Sequence, residues 1–298
     1  LEFRRVLFRS MTLTAILSII TGLLVIEINL ACPTHACTFS SMAEQTIGPF
    51  GKAITWLAYL LLLYSITTAY IAGESSLIIN TLKPILKFDT PNWIPATLFT
   101  LVLGAAVFWS TETVDYFNRS FISIKGLLLL VTLVLIMPKV DISKLAFTQN
   151  IGHSKYLLAA IPIFLAAFCS QFVIPSVRIY IGAKPKTLKW IVTLGILFSL
   201  AIYLLWLAAT LGTVPLNGNT SFTSWAQSNG SVGEFTAIVT SILNNRWVTS
   251  SVNSFTNIAM TTSFLGVSLG LFDFLADGFK RPNTRVGRLQ TSLLTFIP

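Results

Sequence analysis

Charge is the scarcest commodity in this 298-residue chain: 10% of its residues are Asp, Glu, Lys or Arg, where a soluble domain carries about a quarter. The shortage is greatest among acids, 11 against 20 basic residues, and the formal net charge is +9. Histidine occurs twice and cysteine three times. With 54% hydrophobic residues, a water-soluble fold would have to hide more apolar surface than its core can hold. The basic residues sit in short gaps between apolar runs, and no Lys/Arg-rich block interleaves with aromatics. That pattern excludes a nucleic-acid groove and suits the cytoplasmic loops of a membrane protein. Cys32, Cys37 and Cys169 are an odd set with no disulfide framework. The stretch Cys32-Pro-Thr-His-Ala-Cys37 around His35 has unusual spacing and no second Cys/His pair, so no metal site is expected. A membrane-embedded transferase, the competing class, needs a base or metal ligands near the interface. Here His35 and His153 stand isolated, with no paired carboxylates beside them.

Long apolar runs are what the chain does have. Stretches near the 20 or so residues that cross a bilayer fall at 12–30, 53–79, 93–110, 121–138, 156–181, 188–214 and 253–276, and an eighth starts near Gln290. Runs such as Leu60–Leu63 and Leu127–Leu130 lack the alternation of a membrane strand. In hydrocarbon a continuous apolar run must satisfy its own backbone amides, which makes it a helix. The expectation is an all-α integral membrane protein of seven complete spans and the start of an eighth. Trp93, Trp109 and Trp190 lie near span ends, as an aromatic belt requires. The opening LEFRRVLFRS precedes Met11, and no cleavage site follows the first run, which Glu27 and Asn29 interrupt. Residues 1–10 are therefore expected to be a cloning or assembly scar, and 11–298 a single transmembrane domain.

Orientation follows from loop charge. Lys184, Lys186 and Lys189 lie between the fifth and sixth spans; Lys280, Arg281, Arg285 and Arg288 follow the seventh. These two positive loops are an even number of crossings apart, so they share a side, expected to be cytoplasmic. The polar stretch 215–252, with only Glu234 and Arg246 charged, then lies outside, with a short helix expected around Phe235–Leu243.

Ionisable residues within spans are costly and therefore functional candidates. Lys125 lies six residues beyond Arg119 and precedes thirteen uncharged residues. It reads either as a lysine snorkelling to the interface or as an ammonium that releases its proton as the protein changes state, since burial favours the neutral amine. Asp273 and Asp277, four apart, read as helix-end partners of Lys280 or Arg281, and Glu27 and Glu74 read likewise. In the fifth span Phe168-Cys169-Ser170-Gln171-Phe172 lies between Pro162 and Pro175. Two prolines around a polar cluster describe either a kinked helix or a broken one, whose free amides could meet a substrate carboxylate. Tyr64, Thr67, Thr68 and Tyr70 on the second span, and Thr261, Thr262 and Ser263 on the seventh, are candidates to face it, though hydroxyls also glue helices together.

Several stretches together resemble the hydroxy/aromatic amino-acid permease family, the tyrosine and tryptophan permeases of the amino acid-polyamine-organocation superfamily. They are Thr68-Ala69-Tyr70-Ile71-Ala72-Gly73, Asp115-Tyr116-Phe117-Asn118-Arg119 leading to Lys125, and Ala201-Ile202-Tyr203-Leu204-Leu205-Trp206. The most specific runs from Thr262-Ser263-Phe264-Leu265-Gly266-Val267 through Leu269-Gly270-Leu271-Phe272-Asp273 into Gly287-Arg288-Leu289-Gln290-Thr291. The resemblance implies a leucine-transporter-type inverted-repeat bundle that moves amino acids with protons across a bacterial inner membrane. The seven spans would be family helices two to eight. The glycine-rich first helix and the segment beyond the start of the ninth would be lacking, so a partial transporter domain is expected. Where the family's broken helix is typically glycine-containing with a histidine, this chain has Cys169, Gln171 and Phe172.

Phe168, Cys169, Ser170, Gln171, Tyr64, Thr67 and Thr262 are then the residues expected to contact substrate, which the resemblance implies is an amino acid of the aromatic class. Lys125 and Ser263 would couple the proton, the helix of Lys125 packing against the helix of Thr262 and Ser263, where sodium-driven relatives hold their ion. No cofactor beyond the coupling proton is implied, and the partners are substrate and lipid bilayer. A permease for a non-aromatic amino acid and a non-functional permease fragment are the alternatives.

Overall fold

The computed structural model describes residues 2–32, 38–86, 91–145, 155–228, 230–281 and 284–297, and among these it is helical with no strand. In chain order the helices are α1 (Glu2–Ala31), α2 (Phe39–Ile47), α3 (Pro49–Leu86), α4 (Trp93–Trp109), α5 (Thr111–Ile136), α6 (Ile142–Leu145), α7 (Lys155–Ala167), α8 (Ile174–Ile181), α9 (Pro185–Thr213), α10 (Phe222–Gln227), α11 (Val232–Leu243), α12 (Arg246–Gly278) and α13 (Arg285–Phe296). Six segments among the described residues are long and apolar enough to cross a membrane: four single helices, α5 with the 3-10 turn Met137–Lys139 that follows it, and the α7–α8 stretch Leu158–Ile181. The third expected span, α4, is apolar but only 17 residues long. The fourth starts ten residues earlier than its apolar run, at Thr111, because Asp115 and Arg119 pair at 2.7 Å across one turn and let the helix continue into polar sequence. The short helix expected around Phe235–Leu243 is found as α11 (Val232–Leu243), preceded by the unforeseen α10. Trp93, Trp109 and Trp190 are all exposed.

The chain divides into two compact units, Leu1–Ala58 with Val140–Gly212, and Tyr59–Lys139 with Thr213–Pro298. In the first, α1 lies along α7 and α8. Its packed face carries Ser10, Thr14 and Ser18, each fully buried, at the one-turn spacing that lets membrane helices approach closely. Apolar residues complete the contact: Met11 and Ala15 with Phe168 and Ile196, then Ile26 with Ile174 and Leu188. Glu27, read as a helix-end partner, does pair with Lys189 at 2.7 Å. Cys32 is disulfide-bonded and Cys169 is a free thiol, which corrects the expectation of no disulfide. His35, Cys37 and His153 lie outside the described residues.

The second unit is organised on α12, which runs along α5 and also meets α4, α11 and α13. Val107, Val114, Leu265 and Phe272 form one cluster, and Leu63, Leu271 and Leu275 another. Phe264, fully buried, has its ring 4.8 Å from that of Phe99. Arg288 donates to Phe108 O and Val107 O, both at 2.7 Å, and its guanidinium stacks 4.9 Å from the Phe272 ring. A cation is favoured at such a helix C-terminus. Where α11 meets α3, Gly233 N–H donates to Ser76 Oγ at 3.0 Å. A Cβ there would sit 2.3 Å from Ser76 O, so only glycine allows the approach.

Candidate functional site

The fifth span is broken, not bent. Pro162 lies inside α7, which stops at Ala167; residues 168–170 are non-helical, a 3-10 turn covers Gln171–Val173, and α8 begins at Ile174 with Pro175 in its first turn. Proline near a helix start loses nothing, since those amides lack intrahelical partners. Several of the expected free donors are used within the break: Cys169 N–H donates to Ala166 O at 3.4 Å, Ser170 N–H to Phe168 O at 2.7 Å, and Val173 N–H to Ser170 O at 3.1 Å. The Ala167 carbonyl, released by the break, accepts from Tyr203 Oη at 3.1 Å.

Of the four candidates here, Phe168 is buried in the core, edge-on to Tyr203 at 5.2 Å. Cys169 is half-buried and Ser170 exposed. Gln171 reaches α1, donating from Nε2 to Thr21 Oγ1 at 3.0 Å and Ser18 O at 3.5 Å. A cavity of about 270 Å³ lies beside the break, lined by Phe168, Cys169 and Ser170 together with Ile191, Gly195 and Ser199 of α9. A larger one of about 460 Å³, between α3, α4 and α13, is apolar and touches none of the candidates.

The other candidates belong to the second unit. Lys125 Nζ donates to Thr262 Oγ1 at 3.4 Å. Thr262 is buried and gives its own hydroxyl proton back to Ile258 O and Ala259 O, at 2.8 and 3.1 Å, so it offers the lysine only a lone pair. Ser263, the next residue, is half-buried. Seven residues beyond Lys125 on the same helix face, Thr132 Oγ1 and Ser251 Oγ share a fully buried hydrogen bond of 2.7 Å. Tyr64 donates to Leu294 O and the buried Thr67 to Leu63 O, so both hydroxyls are committed to the protein. Glu74, read as a helix-end partner, is instead 4% exposed, and its Oε2 has no hydrogen-bond partner among the described residues.

Sequence reasoning missed Arg178. It is 4% exposed on α8 and donates from Nη1 to Asn29 O and, at 3.3 Å, to Asn29 Oδ1, and from Nη2 to Cys32 O at 3.3 Å. It thereby closes the C-terminal end of α1. An arginine inside an apolar span was the signal. Its partner carbonyls, nearly 150 residues away, carry none in sequence.

Long apolar helices, an interrupted span with polar side chains at the break and an ammonium held against a neighbouring helix define a polytopic membrane protein of transporter type. A sequence model of the tryptophan/tyrosine permease family matches residues 7–298, and the chain belongs to that family, one of transport proteins and not of enzymes. It is similar to a tryptophan-specific transport protein of Pseudomonas aeruginosa, 32% identical over 290 residues, covering 96% of this chain and 68% of that protein. A low affinity tryptophan permease of Escherichia coli is 31% identical, covering 93% and 67%. A tyrosine-specific transport system 1 of Haemophilus influenzae is 30% identical, covering 87% and 62%. The chain thus spans about two thirds of the length of these relatives.

Proposed function

We propose that the protein is an aromatic amino-acid permease of a bacterial inner membrane, working by proton symport on a leucine-transporter-type inverted-repeat bundle. In this reading α4 counts as a seventh crossing, loops 182–189 and 277–289 are cytoplasmic, and 215–252 is external. The relatives named for tryptophan and tyrosine transport support the substrate class. Supporting a substrate site at the break are the polar residues Cys169, Ser170 and Gln171 and the cavity beside them.

One observation carries the coupling: the Lys125 ammonium rests on Thr262 with a single long hydrogen bond and no ion pair among the described residues. A sodium ion bound between two helices supplies one positive charge that draws them together; the lysine ammonium supplies the same charge and can lose it as a proton. Desolvation favours the amine in one conformation, and hydroxyl and carbonyl partners favour the ammonium in the other. Uptake of labelled tryptophan and tyrosine into proteoliposomes tests this. It should follow an imposed pH gradient and ignore sodium. Lys125→Gln should abolish accumulation while sparing counterflow, and Lys125→Arg should do the same because a guanidinium keeps its proton. Accumulation against a gradient by the arginine variant would leave Lys125 as a snorkelling residue only.

A further inference from the structure

We propose that Asn118 is the second acceptor of the Lys125 ammonium, the station it takes when it leaves Thr262; this rests on the coupling role proposed above for Lys125. Asn118 and Lys125 are seven residues apart on α5, hence on one face, the face turned to α12. Asn118 Oδ1 is buried with no hydrogen-bond partner among the described residues, an uncommon and costly condition for an amide oxygen. Lys125 has the complementary deficit: three N–H donors and one acceptor, at 3.4 Å. An empty acceptor and an undersupplied donor thus lie on the same stripe.

The direction suits a helical lysine, whose side chain leans toward the N-terminus of its helix, here toward Asn118. Seven residues of rise amount to about 10.5 Å, a gap that the four-carbon stem and one bridging water span. On α12 the residue one turn past Thr262 is Gly266. A Cβ added there would meet only Asn118 Nδ2, at 3.9 Å, which places the Asn118 amide beside α12 one turn from Thr262.

The charged groups around this stripe leave the role open to Asn118. Asp115 is paired with Arg119 and exposed. Of the elements packed on α5, α4 has no charged residue, the 3-10 turn Met137–Lys139 has Lys139 at the far end, and α12 has Arg246 at the far end and Asp273 and Asp277 in its last turns. None of these carboxylates bonds to Lys125 among the described residues. At Asn118 the ammonium donates through the bridging water to the neutral carbonyl, and when desolvation next favours the amine it hands one proton to that water. The amide takes no proton itself, so it positions the lysine without trapping it as a carboxylate would.

The test uses the purified protein in proteoliposomes, with pH-driven accumulation and counterflow of labelled tryptophan measured on each variant. Asn118→Leu should lose about tenfold in accumulation while counterflow stays within twofold, and Asn118→Gln, which keeps the carbonyl, should recover at least half. Asn118→Asp, isosteric and able to fold where leucine is not tolerated, should hold the ammonium and lose accumulation similarly. Normal accumulation by either the leucine or the aspartate variant overturns the role of Asn118 if Lys125→Gln is inactive in the same preparation. Accumulation by Lys125→Gln itself overturns the coupling reading and this proposal with it.

Discussion

Each compact unit carries a cation among apolar helices, and the two are held in different ways. In the first, Arg178 is almost wholly buried and its two terminal nitrogens are bonded to Asn29 and Cys32 at the end of α1. In the second, Lys125 is half-buried with one hydroxyl partner at the long end of the hydrogen-bond range. A guanidinium keeps its charge and fits several carbonyls at once, whereas an ammonium is a flexible point donor that can be neutralised. The first arrangement fastens two segments together. The second is undersupplied with acceptors, and the switch proposed for Lys125 rests on that deficit. The two cations thus differ both in burial and in the number of carbonyl and hydroxyl partners they hold.

The comparison breaks most visibly if Arg178 proves dispensable. Arg178→Leu strands the carbonyls at the end of α1 and should cost on the order of 3 kcal/mol, read as a fall of about 5–10 °C in thermal unfolding in detergent with reduced yield. Arg178→Lys should recover only part of this, and Lys125→Gln should unfold within about 2 °C of the parent. If the two positions destabilise equally, the contrast between them is lost.

A smaller effect sharpens the account of the break. Gln171→Ala removes the tie from the break to Thr21 and a polar group proposed to meet substrate. Half-saturation for tryptophan should rise about tenfold, equivalent to about 1.4 kcal/mol, with little change in unfolding temperature. Unchanged transport would mean that Gln171 only joins the break to α1. The smallest effect is expected at Thr132, whose hydroxyl meets Ser251. Thr132→Val should cost about 0.6 kcal/mol, the usual worth of an interhelical hydrogen bond in a membrane, and leave accumulation intact. Loss of accumulation there would extend the coupling machinery beyond Lys125 along α5.

What the amino-acid sequence determined by itself is the membrane class, the helices and nearly all their positions. Each apolar run settles its own backbone hydrogen bonding locally, so its fate is written within some twenty residues. The prolines and polar cluster of the fifth span likewise pointed to an interruption, but could not distinguish a kink from the break at 168–170. That depended on packing against α1 and α9, where Tyr203 and Thr21 take up groups that the interruption leaves over. The resemblance had already set the helix of Lys125 against that of Thr262, and the tertiary structure supplied the contact itself, across 137 residues. Tertiary structure alone joined Arg178 to Asn29 across 149 residues, and separated Glu27, paired with Lys189, from Glu74, buried with an oxygen that has no partner among the described residues. A charged residue announces its cost wherever it stands in an apolar run, but what meets that cost comes from another helix, and no local pattern records which one.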